Sequence, residues 1–253
     1  MERMEPAHNE PPVVVTGLRK SFGAQKVLDG IDLAVAHGET VAVLGRSGTG
    51  KSVLLKLLIG LQEPDAGSIR ILGQEMKELG IDQLNAVRKR VGFLFQQAAL
   101  YDSLTIEENV SFPLSRHTKL SAAERRDRAR ELLANVGMEQ DLGKLPSEIS
   151  GGMQKRVGLA RALALEPNIV LFDEPTAGLD PITAAEIEKL ILQLKEDLEM
   201  TAIVVTHDVH GAKSFSDRMI VIHEGKILIQ GTFADLQKSR DEFVARFLRE
   251  ADR

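Results

Sequence analysis

Gly45-Arg46-Ser47-Gly48-Thr49-Gly50-Lys51-Ser52 is the stretch that decides how this chain is read. It has the form G-x-x-x-x-G-K-[ST]. It follows the apolar run Val41 to Leu44 and opens a helical pattern with Val53, Leu54, Leu57 and Leu58 on one side. Glycines let such a loop curl until successive backbone N–H groups converge on phosphate oxygens. The start of the helix adds partial positive charge. Lys51 is then expected to reach the β- and γ-phosphates, and the Ser52 hydroxyl to ligate Mg²⁺. A glycine-rich turn that merely precedes Lys-Ser is the competing reading, and the strand before and helix after argue against it.

A phosphate loop also needs an acidic partner at the end of another core strand. Ile169-Val-Leu-Phe-Asp173-Glu174 supplies four apolar residues and then two carboxylates. Neighbours along a strand point to different sides, so the two acids are free for separate tasks. Asp173 is expected in the Mg²⁺ shell, and Glu174 is expected to polarise an attacking water.

The rest of the chain is consistent with a globular α/β protein. It has 253 residues, 43% of them hydrophobic and 27% charged, which excludes disorder for the bulk of the chain. A net charge of -5 argues against nucleic-acid binding by bulk charge. There are no cysteines, which removes disulfides and thiolate chemistry. Residues 91–101 form the longest run without an acid or base, short of the roughly 20 apolar residues that span a bilayer. The opening, MERMEPAHNEPP, lacks the apolar core of a signal peptide. Residues 1–11 therefore read as a flexible lead-in, and the protein is expected to be cytosolic.

Strands are predicted at Val13 to Thr16, Ile31 to Val35, Thr40 to Leu44, Ser68 to Leu72 and Val91 to Phe95. From 97 to 165 the pattern turns helical. Thr105-Ile-Glu-Glu108 and Ser121-Ala-Ala-Glu124 fit capping boxes, and the charged run Glu124 to Arg130 reads as a solvated helix face. Asn168 to Phe172 returns to strand. Asp180-Pro181 supplies an N-cap and first-turn proline for a helix carrying Ile187, Leu190, Ile191, Leu194 and Leu198 on its apolar side. Strands at Ala202 to Val205, Arg218 to Ile222 and Lys226 to Ile229 then alternate with helices. The division predicted is a core of 12–96 and 166–232, a helical insertion at 97–165 and a helical tail at 233–249.

Ser150-Gly151-Gly152-Met153-Gln154 is by itself only a loop entering a helix. It stands 99 residues after Lys51 and 23 before Asp173, and in that arrangement the chain resembles the ATP-binding-cassette (ABC) ATPases from about residue 13 to 235. The resemblance implies a P-loop NTPase (RecA-like) α/β core with an antiparallel β subdomain and an inserted α-helical subdomain. It places Phe22 where an aromatic ring stacks on adenine. Gln96 takes the position of the loop glutamine that senses Mg²⁺ and water, with Gln97 as the competing assignment. Ala177-Gly178-Leu179-Asp180 becomes the loop through which the two sites of a dimer communicate. His207, directly after Thr206 and 33 residues beyond Glu174, becomes the switch that contacts γ-phosphate. Catalysis is thus expected of Glu174, His207, Gln96 and Lys51, and metal binding of Ser52, Gln96 and Asp173. ATP would also meet Phe22, Thr206, Asp180 and, from the opposing chain, Ser150, Gly151 and Gly152.

Such a site is incomplete in one chain, so the resemblance implies a head-to-tail homodimer that closes on two ATP and drives an integral membrane permease. Two departures from the family pattern stand out: Ile149 in place of Leu, and Met153 in place of Gln. With Met153, the segments Phe93 to Thr105 and Asn109 to Leu114 look like the lipid-transport branch associated with Mce-domain proteins. That branch implies a Mce-domain lipid-binding partner, a small regulatory subunit and a peripheral place on the cytoplasmic face of the inner membrane. With 46 residues after His207, the extra C-terminal domain of many small-solute importers is not expected. A small-solute importer, a lipoprotein exporter or a soluble non-transport cassette are the alternatives. No Asn-Lys-x-Asp run for guanine is present.

Overall fold

The computed structural model describes residues 10–251, so the expected lead-in lies, up to residue 9, outside the described residues. β1 (Val13–Phe22) and β2 (Gln25–Val35) pair as a hairpin, Val13 opposite Val35 and Phe22 opposite Gln25. Both run well past their predicted apolar segments. The added residues include Arg19, Lys20 and Lys26, polar positions tolerated because an antiparallel ribbon leaves part of its surface to solvent. After β3 (Thr40–Leu44) and α1 (Lys51–Leu58) come β4 (Ala66–Ile71) and β5 (Gln74–Glu75). They complete an antiparallel sheet of order β2-β1-β4-β5.

α2 (Ile81–Arg88), short and weakly apolar, has no counterpart in the sequence reading; it leads into β6 (Val91–Leu94). Then α3 (Ile106–His117) and α4 (Ala122–Asn135) begin at Thr105 and Ser121, each with both capping-box hydrogen bonds formed. α5 (Gly151–Leu163) starts at Ser150 and leads to β7 (Ile169–Asp173). α6 (Pro181–Leu198), capped by Asp180, buries Ile187, Leu190, Ile191 and Leu194. Leu198 departs from expectation: it sits at the helix end and is 55% exposed. β8 (Thr201–Thr206), α7 (Val209–Phe215), β9 (Arg218–His223), β10 (Lys226–Gly231), α8 (Phe233–Gln237) and α9 (Glu242–Ala251) complete the chain.

The second sheet has the order β10-β9-β3-β8-β7-β6 and is parallel from β9 to β6, with β10 antiparallel at one edge. Every residue of β3, β7 and β8 is buried, as strands covered on both faces must be. Alternation divides them between two cores. Ala42, Leu44, Val170, Phe172, Ala202 and Val204 join the helices α3 to α7 and the C-terminal pair. Val41, Val43, Ile169, Leu171, Ile203 and Val205 face α1 and the antiparallel sheet. Crossovers of this kind leave loops at the carboxyl ends of the strands, where α/β folds bind ligands. Lys51, Asp173 and His207 all follow or close such strands. Among the described residues, no helix is long and apolar enough to cross a membrane.

Candidate active site

The cradle begins where β3 stops. Gly50 holds φ at +93°, and a Cβ there would come within 2.7 Å of Val27 Cγ1, so only glycine fits. It is the N-cap of α1 and has no side chain to satisfy the first amide groups of the helix. Those groups are left for an acceptor from outside, as a phosphate site requires. Arg46 turns its guanidinium away, to Glu250 Oε2 at 2.8 Å and to within 5.7 Å of the Phe243 ring centre on α9. What Arg46 lends the loop is backbone.

Lys51 Nζ donates to the carbonyl oxygens of Gly45 at 2.8 Å and Arg46 at 3.1 Å, and lies 3.4 Å from Glu174 Oε1. Burial pulls its pKa below the ordinary lysine value, while Glu174 and then Asp173 oppose that shift. Ser52 Oγ donates to Asp173 Oδ1 at 2.6 Å. A hydroxyl and a carboxylate side by side are the hard oxygen donors that suit Mg²⁺, so these residues fit the ion the motif calls for. Glu174 carries its second oxygen 2.8 Å from His207 Nδ1.

Glu174 sits at φ +48°, left-handed for a residue with a Cβ. Such a conformation costs about 1–3 kcal/mol and persists only when neighbours over-determine it. Its amide donates to the Val205 carbonyl at 2.9 Å, and its own carbonyl accepts from Lys155 Nζ at 3.0 Å. Lys155 was not singled out by sequence. Its signal is a lone cation on the buried stripe of α5 with Gly152, Leu159 and Leu163. Burial draws the Lys155 pKa down to about 8, against the pull of Asp173 and Glu174.

Of the residues expected from sequence, Lys51, Ser52, Asp173, Glu174 and His207 form one connected set. Gln96 is exposed, and its carbonyl accepts from Lys155 Nζ; Gln97 is exposed as well. Thr206 is buried, its hydroxyl accepting from the Asp208 amide at 3.0 Å. Phe22 is 47% exposed at the end of β1 rather than packed in a core. Ser150 caps α5 by accepting from the Met153 amide at 3.3 Å. Gly152 packs on the first turn of α6, where a Cβ would come within 2.3 Å of Thr183 Cγ2. Asp180 spends its carboxylate on the Ile182 and Thr183 amides and the Thr183 hydroxyl. Ser150, Gly152 and Asp180 thus form a second group, and no hydrogen bond or ion pair among the described residues joins it to the cradle. Ser150 and Gly151 face solvent.

Comparison with known proteins identifies the family and the fold. The family model described as "ABC transporter" matches residues 28–177. The chain is 42% identical over 236 residues to the "Probable ribonucleotide transport ATP-binding protein mkl" of Mycobacterium tuberculosis, covering 93% of this chain and 66% of that one. It therefore spans just under two thirds of that relative's length. It is 39% identical over 241 residues to the "Intermembrane phospholipid transport system ATP-binding protein MlaF" of Haemophilus influenzae, covering 95% of this chain and 91% of that one. Among solved structures, the dimeric bacterial ABC transporter cassette MJ0796 superposes with a TM-score of 0.81 at 35% identity, covering 87% of this chain and 98% of that chain. The same cassette is also known as a dimer in a post-hydrolysis state with ADP and Pi, at a TM-score of 0.80 and 36% identity, again covering 87% of this chain and 98% of that chain.

Proposed function

The chain belongs to the ABC transporter family as its ATP-hydrolysing cassette, and from that premise we propose that two copies close head to tail over two ATP molecules and power a permease that moves phospholipid between bacterial membranes. One observation carries the two-copy reading. The cradle, Asp173, Glu174 and His207 gather in one place, while the exposed helix start at Ser150 and Gly151 stands apart. A γ-phosphate held by the cradle lacks donors on its far side, and a second copy supplies them. Dimeric cassettes of this fold support the arrangement.

In that sandwich the amides around Gly48 to Ser52, with Lys51, hold the phosphates. Ser52, Asp173 and Gln96 would hold Mg²⁺, whose charge offsets that building on the phosphate oxygens. Glu174 polarises the attacking water, and His207, the expected γ-phosphate switch, also fixes that carboxylate on the side away from Lys51. Phe22, exposed beyond the cradle, offers its ring to adenine. Thr206 and Asp180 shape the two loops that meet the opposing copy.

Phospholipid as cargo is supported by the relative matched along nine tenths of its length and by Met153 with the segments around it. The cleft of about 410 Å³ between Phe93, Tyr101, Phe112 and Arg116 is where we place the permease, on the cytoplasmic face of the membrane. A Mce-domain protein and a small regulatory subunit complete the proposed assembly. The 42% identity to a ribonucleotide transport protein and the 40% identity to a methionine importer favour a second reading, uptake of a soluble solute. Deletion in the native host separates the two. The lipid reading expects detergent sensitivity and a phospholipid imbalance between membranes; loss of uptake of one nutrient with an intact envelope would establish the other.

A further inference from the structure

Two cations on α5, Lys155 buried and Arg161 half-buried, reach back against the loop that follows β6. Lys155 Nζ donates to the Gln96 carbonyl and, at 3.0 Å, to the Glu174 carbonyl. Arg161 donates to the carbonyls of Ala99 at 2.7 Å and Ala98 at 2.6 Å. Ala98, Ala99 and Glu174 all hold a left-handed φ, at 56°, 50° and 48°, without being glycine. Three strained peptides therefore owe part of their restraint to one helix. Lys155 is 5% exposed and lies on the apolar stripe of α5, where an apolar side chain would pack at no desolvation cost. Its bonds to two carbonyls, 59 and 19 residues away in sequence, are what the cation adds.

The geometry points to Lys155 as a positioning residue: it ties the Glu174 peptide and the Gln96 loop of one protomer to the helix whose first turn, Ser150 to Gly152, that protomer presents to its partner's nucleotide. The inference rests on the two-copy reading proposed above. Through this tether the state of a protomer's own site sets the aim of the donors it offers across the dimer. Arg161 anchors the same loop about one and two-thirds turns further along α5, so loop and helix move as one body. Both cations spend their donors on backbone carbonyls. Lys155 acts through Glu174 and Gln96.

The test compares Lys155→Met and Lys155→Arg in the full chain, alone and combined with Glu174→Gln. The cradle is untouched, so ATP affinity of the isolated subunit should stay near wild type in both variants. In Lys155→Met, kcat should fall by about a hundredfold, the scale of an ångström of misplacement, while KM for ATP changes little. Lys155→Arg, which keeps a buried cation, should recover most of the rate. Glu174→Gln with Lys155→Met should need far more Mg-ATP to form the dimer than Glu174→Gln alone. Wild-type kcat in Lys155→Met would overturn the proposal. So would a rate lost in step with the unfolding midpoint in both variants, which marks a packing role only. If Glu174→Gln by itself forms no ATP-dependent dimer, the two-copy reading fails and takes the cross-protomer tether with it; the kcat and rescue data then still decide whether Lys155 positions Glu174.

Discussion

His207 Nδ1 lies 2.8 Å from Oε2 of Glu174, while Oε1 of the same carboxylate lies 3.4 Å from Lys51 Nζ. A residue beyond β8, one beyond β7 and one at the start of α1 are thereby held in a line across the ends of adjacent strands. The carboxylate is fixed between the lysine of the proposed phosphate cradle and an imidazole outside that loop. Removing either end of that line should separate binding from chemistry.

Glu174→Gln keeps the shape of the side chain but cannot accept a proton. The proposed Mg-ATP ligands Lys51, Ser52 and Asp173 are left intact, so turnover should drop by roughly a hundred- to ten-thousand-fold while binding persists. The ATP-bound dimer should then accumulate. Lys51→Ala should lose nucleotide affinity and dimer together. Sizing in solution with and without Mg-ATP, beside phosphate release, reads both. Wild-type hydrolysis by Glu174→Gln would remove the assignment of the base.

His207→Ala frees Oε2 of Glu174 without touching the cradle. The His207 side chain is largely exposed, so folding stability should hardly change. We expect ATP affinity within a few-fold of wild type and kcat down by at least about tenfold, short of the roughly hundredfold or more that a positioned acid–base group itself contributes, because His207 acts through Glu174. Equal losses of affinity and rate would instead make His207 a ground-state phosphate ligand.

Most of the line from Lys51 to His207 was legible in sequence: Lys51 and Glu174 sit at a fixed step from strand ends that hydrophobic pattern reveals, and His207 was placed by the family resemblance. Lys51 and Ser52 follow Val41 to Leu44 through a loop of recognisable composition, and Asp173 and Glu174 directly end an apolar run. Lys155 and Arg161 were not legible. Their partners are backbone carbonyls of residues distant in sequence, which leave no side-chain pattern to read. Similarly, β1 and β2 extended into polar sequence because hairpin pairing, not apolarity, sets their length. The pairing of Glu188 on α6 with Asp208 at the cap of α7 was hidden for the same reason, two helices brought together only by the fold.

That carboxyl pair gives a pH prediction. Glu188 is pushed up to about 7, first by burial and then by Asp208 beside it, with His210 pulling the other way. An acid whose folded pKa exceeds its unfolded value holds its proton more tightly when folded. Its contribution is full at acid pH and is lost as pH rises from about 4.5 through about 7. Glu188→Gln keeps a donor for Asp208 and carries no charge. The variant should therefore gain thermal stability over wild type as pH goes from 5 to 8, with little difference at 5. Unfolding curves that stay parallel across that range would count against it.

The face proposed for the permease offers the last test. Tyr101 is 47% exposed, and its ring centre is 4.8 Å from that of Phe112 at the mouth of the cleft that also holds Phe93 and Arg116. Leu100 and Leu104 are only partly exposed, and Leu100 packs against the main core, so a charge at Leu100 should cost stability as well as contact. Tyr101 is the cleaner probe. Its backbone bonds to Asn109 do not involve the ring, so Tyr101→Asp should fold. ATP binding and basal hydrolysis by the isolated subunit should remain near wild type, since the ring is part of neither group of site residues. Co-purification with the permease and transport by the assembled complex should both fall sharply. If Tyr101→Asp assembles and transports normally, the permease does not dock in this cleft. If it assembles but hydrolyses ATP without moving cargo, the cleft carries coupling and the docking energy lies elsewhere on the surface.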